Sequence, residues 1–231
     1  MKRVAVYTAS RNLYKPMLGP IKSMLKNGNP DEIYLLVEDD QMPYWLPENV
    51  KVINVSHQTF FPKDGPNMKS KYTYLALMRA ALAYVLPSDV DVVLSMDCDT
   101  LVVGDITELW ERDMTGYYFS ASIEPHRTRW ETLYTNIGVC LFNLKMLRET
   151  GMVDKVIKEL NTNKYPNVEQ DVFNYLCQGH ILPMPSDYNR NDYTMKPMEE
   201  RIRHYAGHST WTSAYDVVNW GNVVWERILH G

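Results

Sequence analysis

Short apolar runs that alternate with helical patterns fill the first hundred residues, and this alternation limits the fold more than any other feature. Strands that are apolar throughout are buried on both faces, which is typical of parallel sheets. The alternation predicts an α/β fold with a Rossmann-like, mostly parallel central sheet and helices on both faces. The predicted strands span residues 4–8, 33–37, 50–55 and 91–96, and the predicted helices span residues 14–26 and 72–86.

The alternation loosens after residue 105, where a mixed C-terminal part is predicted. Strands are predicted at residues 117–123 and 137–144, and helices at residues 152–160 and 169–177. The last third is rich in Tyr, Trp, Asn and Pro. Because no repeat, low-complexity tract or linker divides the chain, we expect one compact domain over residues 1–231.

Charge and cysteine content narrow the functional classes. A net charge of -4 with scattered Lys and Arg argues against a nucleic-acid partner, since such binders neutralise phosphates. Three cysteines in apolar or periodic segments predict free thiols and a reducing, cytoplasmic location. The sequence predicts neither a signal peptide nor a transmembrane segment, and it leaves peripheral membrane contact possible.

An acidic pair, Asp97 and Asp99, follows the strand predicted at residues 91–96. Residues two apart on a strand face the same side, so the carboxylates are expected to converge. Ligands bind beyond the carboxyl ends of the strands in such sheets. Divalent cations such as Mg²⁺ and Mn²⁺ bind oxygen ligands, and two carboxylates leave positions open for a diphosphate. The pair is a candidate metal–nucleotide site, although its spacing also arises by chance.

A second pair with the same spacing, Asp89 and Asp91, precedes that strand. It follows Leu86-Pro87-Ser88, where Pro and Ser indicate a turn. We interpret this pair as solvated turn residues. Spacing alone therefore does not identify a metal site.

Four segments in chain order carry further information: MDCDTLV at residues 96–102, NIGVCLFNL at 136–144, EQDVFN at 169–174 and HYAG at 204–207. Together they resemble the metal motif, the Asn-x-Gly-Val strand, the Asp-Gln-Asp helix start and the C-terminal His-x-x-Gly motif of glycosyltransferase family 8. The resemblance spans about residues 1–211. It implies a single GT-A domain, with a nucleotide-binding half at residues 1–104 and a donor-sugar and acceptor half at residues 105–231.

The resemblance also implies a metal centre made of Asp97, Asp99 and His204. Two oxygens and one imidazole nitrogen, with room for diphosphate oxygens, suit Mn²⁺, and Mg²⁺ is the alternative. The cation would stabilise the charge that grows on the departing nucleoside diphosphate.

Other site residues are implied only by their positions in the family's motifs. The resemblance places Gln170 and Glu169 at the anomeric carbon as candidate catalytic residues. The implied nucleotide-binding residues are Thr8, Ala9, Ser10, Asn12, Arg79, Cys98 and Gly207. The implied donor-sugar residues are Arg79, Glu124, Asn136, Ile137, Glu169 and Gln170.

Several of these residues also have structural interpretations. Arg79 suits bidentate phosphate contact, but an arginine in this helix could also extend to the surface. Gly207 could let the backbone approach phosphate or could supply a turn with positive φ. Asn136 with Gly138 could form a strand edge with a bulge. For Asp171 we favour capping of the helix start. Three tryptophans are either core residues or a sugar-stacking acceptor platform: Trp211, Trp220 and Trp225.

The chain departs from the family's pattern in two places. Ser10 stands where an acidic residue is frequent. After Gly207 the family commonly continues to Lys-Pro-Trp, whereas this chain reads His208-Ser209-Thr210-Trp211. His208 or Arg79 could take the role of the missing Lys at the diphosphate.

The resemblance implies a metal-dependent retaining enzyme that moves a hexose from UDP-glucose or UDP-galactose to an acceptor hydroxyl. The acceptor could be a glycan, a lipid-linked oligosaccharide or a protein. Two other classes stay open. A phosphatase of the haloacid dehalogenase type would use Asp97 as its nucleophile, and a nucleotide-sugar-binding relative would have the fold without turnover.

Overall fold

A computed structural model describes residues 2–40, 44, 46–70, 72–129, 132–208, 210–214 and 217–218. Within these ranges the strands form a seven-stranded sheet in the order β3-β2-β1-β4-β7-β6-β8 and a two-stranded sheet of β5 and β9. The strands are β1 (Val4–Thr8), β2 (Glu32–Val37), β3 (Val50–Asn54), β4 (Val92–Met96), β5 (Thr100–Val102), β6 (Phe119–Ile123), β7 (Thr135–Asn143), β8 (Ile181–Met184) and β9 (Ile202–His204).

The large sheet is mostly parallel, which confirms the predicted fold class. Strands β3, β2, β1 and β4 run parallel to one another, and so do β6 and β8. The exception is β7, which lies antiparallel between β4 and β6. Both predicted halves of the chain contribute strands to this one sheet.

Helices cover both faces of the sheet. Side chains alternate along β1, so that Val4 and Val6 face one apolar cluster while Ala5 and Tyr7 face another. The helices are α1 (Leu18–Asn27), α2 (Tyr74–Leu77), α3 (Leu82–Val85), α4 (Thr107–Trp110), α5 (Leu144–Glu149), α6 (Met152–Thr162) and α7 (Val168–Leu176). Residues of α1 and α4 pack in the Ala5 cluster, and those of the others in the Val4 cluster.

Two predicted helices differ from the observed ones. The first begins at Leu18 instead of residue 14, after a series of turns that contains Pro16. The helix predicted at residues 72–86 is divided by a 3-10 segment, Met78–Ala81, between α2 and α3. Its end is as expected, because Leu86 is extended before Pro87.

The cysteines are free, as predicted, with Cys140 and Cys177 buried and Cys98 half-buried. Among the described residues, no helix has the length and apolar character that crossing a membrane requires.

The small sheet determines where His204 lies. Strand β5 follows the Asp97–Asp99 turn and pairs antiparallel with β9, so that Thr100 is opposite His204. Strand β9 contains only one strongly apolar residue, Ile202, and was not predicted. Its pairing brings His204 to the carboxyl end of β4.

Candidate metal and donor site

Asp97 and Asp99 lie in a turn between β4 and β5, and not on the strand itself. The expected convergence of their carboxylates therefore has a different cause. The Asp97 amide donates to the Gly138 carbonyl oxygen at 2.7 Å, and the Tyr205 amide donates to the Asp99 carbonyl oxygen at 2.9 Å. These bonds attach the turn to β7 and to the end of β9, and both carboxylates face His204.

The imidazole of His204 completes a three-residue cluster. Its Nε2 lies 3.6 Å from Asp97 Oδ2 and 3.3 Å from Asp99 Oδ1. One ligand atom from each residue lies within 4.8 Å of the others. Burial lowers the pKa of His204, but the facing carboxylates outweigh burial and raise this pKa above its ordinary value. Burial raises the pKa of Asp99, but His204 outweighs it and holds that pKa below its usual range.

Gly138 on β7 makes room for this cluster. A Cβ atom at this position would lie 2.1 Å from His204 Cε1 and 2.8 Å from Asp97 Oδ2. Any other residue would push the imidazole away from the carboxylate. The glycine of the Asn-x-Gly segment is therefore required by the positions of His204 and Asp97, two of the candidate metal ligands.

The cluster has the donor set that a divalent cation requires. Asn189 Oδ1 lies 2.8 Å from His204 Nδ1, so this ring nitrogen has its own partner on the side away from the carboxylates. A metal-binding histidine usually donates from its second nitrogen in this way, which leaves the first free for the metal. The residues present therefore fit a cation at Nε2, Asp97 and Asp99.

Arg79 is buried beside the cluster, with 8% of its side chain exposed. Its Nε donates to Ser95 Oγ at 3.2 Å, Nη1 donates to Glu169 Oε1 at 3.0 Å, and Nη2 pairs with Asp97 Oδ1. Burial alone lowers the pKa of Arg79, but the two carboxylates outweigh it and raise this pKa. This burial rules out the surface interpretation of Arg79.

Glu169 and Gln170 lie in the first turn of α7. Burial raises the pKa of Glu169 to about 7, although Arg79 opposes the shift. Glu169 Oε2 is buried with no hydrogen-bond partner in the described part of the chain. Gln170 Oε1 accepts from the Ile137 amide at 3.2 Å. Asp171 Oδ2 accepts from the Asn167 amide at 2.8 Å, which agrees with the capping role expected for it.

These groups open onto a cavity of about 600 Å³. Nine of the residues predicted for the site contribute to its walls. They are Arg79, Asp97, Asp99, Glu124, Asn136, Glu169, Gln170, His204 and Gly207. Gly207 has φ +78° and lies against Tyr193, which agrees with the interpretation that this glycine supplies a turn with positive φ.

Six other predicted residues do not contribute to the walls of this cavity: Thr8, Ala9, Ser10, Asn12, Cys98 and Ile137. The side chains of Ala9 and Ile137 are fully buried. Ser10 Oγ donates to Asn12 Oδ1 at 2.7 Å in the loop after β1. Next to this loop, Glu38 Oε2 accepts from the Arg11 amide at 3.2 Å. Glu38, which follows β2, thus places an acidic side chain beside the loop where Ser10 replaces the acidic residue frequent in the family.

The structure bears on the second departure from the family's pattern, the missing Lys after Gly207. His208 does not contribute to the cavity walls, and its Nε2 lies 3.0 Å from Asp192 Oδ2 at the surface. Arg79 is therefore the better placed of the two proposed substitutes for the Lys. Trp211 is half-buried, whereas Trp220 and Trp225 lie outside the described residues.

Sequence reasoning missed two asparagines beside His204. Asn189 and Asn191 are both buried, and each has a side-chain atom within hydrogen-bond distance of His204 Nδ1. The abundance of Asn in this part of the chain was the only signal. Arg127 and Tyr193 were also missed, and both contribute to the walls of the cavity.

Comparison with known sequences assigns the family. The sequence profile of glycosyl transferase family 8 matches residues 37–210. The chain is 27% identical over 208 residues to a putative glycosyltransferase of Haemophilus influenzae, covering 78% of this chain and 61% of that protein. It is 24% identical over 248 residues to glycosyltransferase GlyF of Streptococcus pneumoniae serotype 4, covering 96% of this chain and 61% of that protein. The chain belongs to glycosyl transferase family 8.

Solved structures share the fold. The galactosyltransferase LgtC, crystallised with donor and acceptor sugar analogs, superposes with a TM-score of 0.67 at 21% identity, covering 94% of this chain and 95% of LgtC. GlyE of Streptococcus pneumoniae TIGR4 gives a TM-score of 0.72 at 19% identity, covering 99% of this chain and 62% of GlyE. These likenesses confirm the GT-A fold. The chain spans about three fifths of the length of the Haemophilus protein and of GlyF.

Proposed function

We propose that this chain catalyses metal-dependent, retaining transfer of a hexose from a UDP-sugar to an acceptor hydroxyl. The observation that carries the proposal is the convergence of Asp97, Asp99 and His204 on a polar cavity at the carboxyl end of β4. Family membership supports glycosyl transfer. A relative from Escherichia coli K12 is named lipopolysaccharide 1,2-glucosyltransferase, which supports a hexose as the transferred sugar. It is 31% identical over 121 residues, covering 46% of this chain and 35% of that protein.

Asp97, Asp99 and His204 would hold the cation, which we propose to be Mn²⁺ or Mg²⁺. Two hard oxygens and one imidazole nitrogen suit Mn²⁺ and leave coordination positions for diphosphate oxygens. When bound, the cation supplies positive charge that stabilises the departing UDP.

Arg79 supplies a second positive charge at the same end of the cavity. Its guanidinium can form two parallel hydrogen bonds to a diphosphate, and burial makes such contacts stronger than they are in water. In the free protein the same group pairs with Asp97 and Glu169. We propose that Arg79 takes the role that a Lys after Gly207 has in the family's usual motif.

Other residues of the cavity wall are suited to a sugar. Asn136 and Glu124 present an amide and a carboxylate. Glu169 has an oxygen without a hydrogen-bond partner among the described residues, and a donor hydroxyl would satisfy it. We place Glu169 and Gln170 at the anomeric carbon of the donor. Retention can then follow either from a covalent glycosyl-enzyme or from attack on the face that the UDP leaves.

The remaining assignments are also proposals. The loop formed by Thr8, Ala9, Ser10 and Asn12 would receive the uridine, with Cys98 and Gly207 near the diphosphate. Three free cysteines support a reducing, cytoplasmic location. The acceptor would be a glycan, a lipid-linked oligosaccharide or a protein, with peripheral membrane contact in the lipid-linked case.

Donor hydrolysis tests this function without knowledge of the acceptor. UDP-glucose and UDP-galactose are incubated with the protein and either Mn²⁺ or EDTA, and released UDP is measured. We expect release with at least one donor that depends on Mn²⁺. Release that is equal in EDTA would contradict the metal, and donor binding without release or transfer would indicate a binding relative. Phosphate release from an aryl phosphate would instead support a phosphatase.

A further inference from the structure

We propose that Asn189 is a positioning residue that selects the tautomer of His204, at the end of a hydrogen-bond chain formed by Glu124, Asn136 and Asn189. This inference rests on the metal site of the proposed function. It concerns which ring nitrogen carries the proton, and therefore whether the Nε2 lone pair is available to a cation.

The chain begins at Glu124, whose buried carboxylate can only accept hydrogen bonds when ionised. Its Oε1 accepts from Asn136 Nδ2 at 2.8 Å. This bond orients the Asn136 amide, so that Asn136 Oδ1 points away from Glu124. That oxygen accepts from the Gly138 amide at 3.1 Å and from Asn189 Nδ2 at 3.1 Å.

Asn189 is fully buried, and its amide orientation follows from Asn136. Asn189 Nδ2 lies 3.1 Å from both the carbonyl oxygen and the side-chain oxygen of Asn136, which are acceptors. A flipped amide would place an oxygen against these two oxygens. The oxygen of Asn189 must therefore face His204, where it lies 2.8 Å from Nδ1.

An oxygen acceptor at this distance requires a proton on Nδ1. With the proton there, the neutral ring has its lone pair on Nε2, the nitrogen that faces Asp97 and Asp99. This is the tautomer that can bind a cation between the carboxylates.

The opposite tautomer also has partners in this site. Asn191 Nδ2 lies 3.3 Å from His204 Nδ1 and could donate to it, while a proton on Nε2 could be donated to Asp99 Oδ1. In the structure, Asn191 Nδ2 lies closer to Asn189 Oδ1, at 2.9 Å. Both tautomers therefore have hydrogen-bond partners, and Asn189 favours the one with its proton on Nδ1. Loss of Asn189 favours the tautomer with its proton on Nε2, which blocks the cation.

The test combines ¹⁵N NMR of metal-free protein labelled at histidine with calorimetric titration of Mn²⁺. Spectra are recorded at a pH where the ring is neutral, and His204 is assigned among the six histidines by comparison with His204→Gln. The unaltered protein is expected to carry the proton on Nδ1. In Asn189→Leu the proton is expected on Nε2, and Mn²⁺ affinity is expected to fall by about 10- to 100-fold.

Two further variants separate positioning from general damage. Asn189→Asp keeps an oxygen that faces Nδ1 and is expected to retain the Nδ1 proton, while its second oxygen replaces the donor to Asn136 and is expected to lower stability. Asn67→Leu removes another buried asparagine, one that bonds to the Leu160 and Asn163 carbonyl oxygens, so it should lower stability without altering tautomer or affinity. If Asn189→Leu does not fold, Asn189→Ala carries the same expectation.

Retention of the Nδ1 proton in the apolar variant would overturn the inference, as would an equal loss of affinity in Asn67→Leu. Failure of the proposed function is a different result. In that case the unaltered protein would bind no Mn²⁺, while the tautomer in the metal-free spectra would still test the role of Asn189.

Discussion

Two acidic pairs of identical spacing lie at the two ends of β4, and their surroundings differ completely. Before the strand, Asp89 is 70% exposed and lies 3.9 Å from Lys2 Nζ. After the strand, Asp97 and Asp99 face a buried imidazole and open onto the cavity. Position in the sheet, and not spacing, separates solvated turn residues from a candidate metal site, because ligands gather beyond the carboxyl ends of parallel strands.

The largest expected effect comes from neutralising the second pair. Asp97→Asn with Asp99→Asn removes both charged oxygens, so Mn²⁺-dependent UDP release is expected to fall on the order of 10³-fold, since a bound metal contributes several kcal/mol to catalysis. UDP release from both donors measures the loss. The matched control is Asp89→Asn with Asp91→Asn, and equal losses in the two double variants would contradict the assignment of the metal site to Asp97 and Asp99.

At the cavity end, Glu169 is expected to make stability depend on pH. Glu169 has an ordinary pKa of 4.5, which the fold raises to about 7. Between these values the folded state holds a proton that the unfolded state has released, so stability falls as pH rises through this window. At about 1.4 kcal/mol per pKa unit, the full loss is at most about 3 kcal/mol.

Urea denaturation in EDTA at several pH values measures this loss. Glu169→Gln cannot release a proton, so its free energy of unfolding should fall less between pH 4.5 and 7 than that of the unaltered protein. Parallel pH profiles for the two proteins would show that the pKa of Glu169 is not raised.

Gly138→Ala is expected to have the next largest effect. Its Cβ would overlap His204 Cε1 and crowd Asp97 Oδ2, and overpacking of this kind costs about 1 to 3 kcal/mol. If the imidazole moves, Mn²⁺ affinity measured by calorimetry should fall at least about 10-fold. Gly116→Ala is the control, since its φ of +80° makes the substitution strained while no atom of the described residues lies within 4 Å of the added Cβ. It should lose stability only.

The smallest effect is expected at the first pair. Asp89→Asn changes an exposed carboxylate whose ion pair with Lys2 is long, so the free energy of unfolding should change by less than about 0.5 kcal/mol. Thermal or urea denaturation at low and moderate salt measures it. A loss above about 1 kcal/mol would mean that this pair is more than a solvated turn.

The sequence predicted the parts of the fold that have strong periodic patterns. Strands β1, β2, β4 and β7 are apolar runs, so their existence could be predicted, and Asp97 and Asp99 were located because they follow one of them. Their convergence was predicted from strand geometry but arises from a turn. Strand β9 escaped prediction because three residues with one strongly apolar member carry no period.

Buried polar residues were also not predictable from the sequence. Asn189 is as polar as any loop asparagine, and only the folded structure places it fully buried against His204. Likewise, the residues at 74–85 are mostly good helix formers, so local propensity predicts an unbroken helix and does not account for the 3-10 segment at Met78–Ala81. Short-range sequence patterns predict neither the burial of Asn189 nor the division of this helix.

A crystal of the protein soaked with Mn²⁺ and UDP tests the metal site of Asp97, Asp99 and His204 most directly, with diffraction measured near the manganese absorption edge. We predict an anomalous peak between Asp97, Asp99 and His204, at about 2.0 to 2.3 Å from their ligand atoms, with diphosphate oxygens on its open side. No peak there with UDP bound, or a peak at Asp89 and Asp91 instead, would contradict the claim.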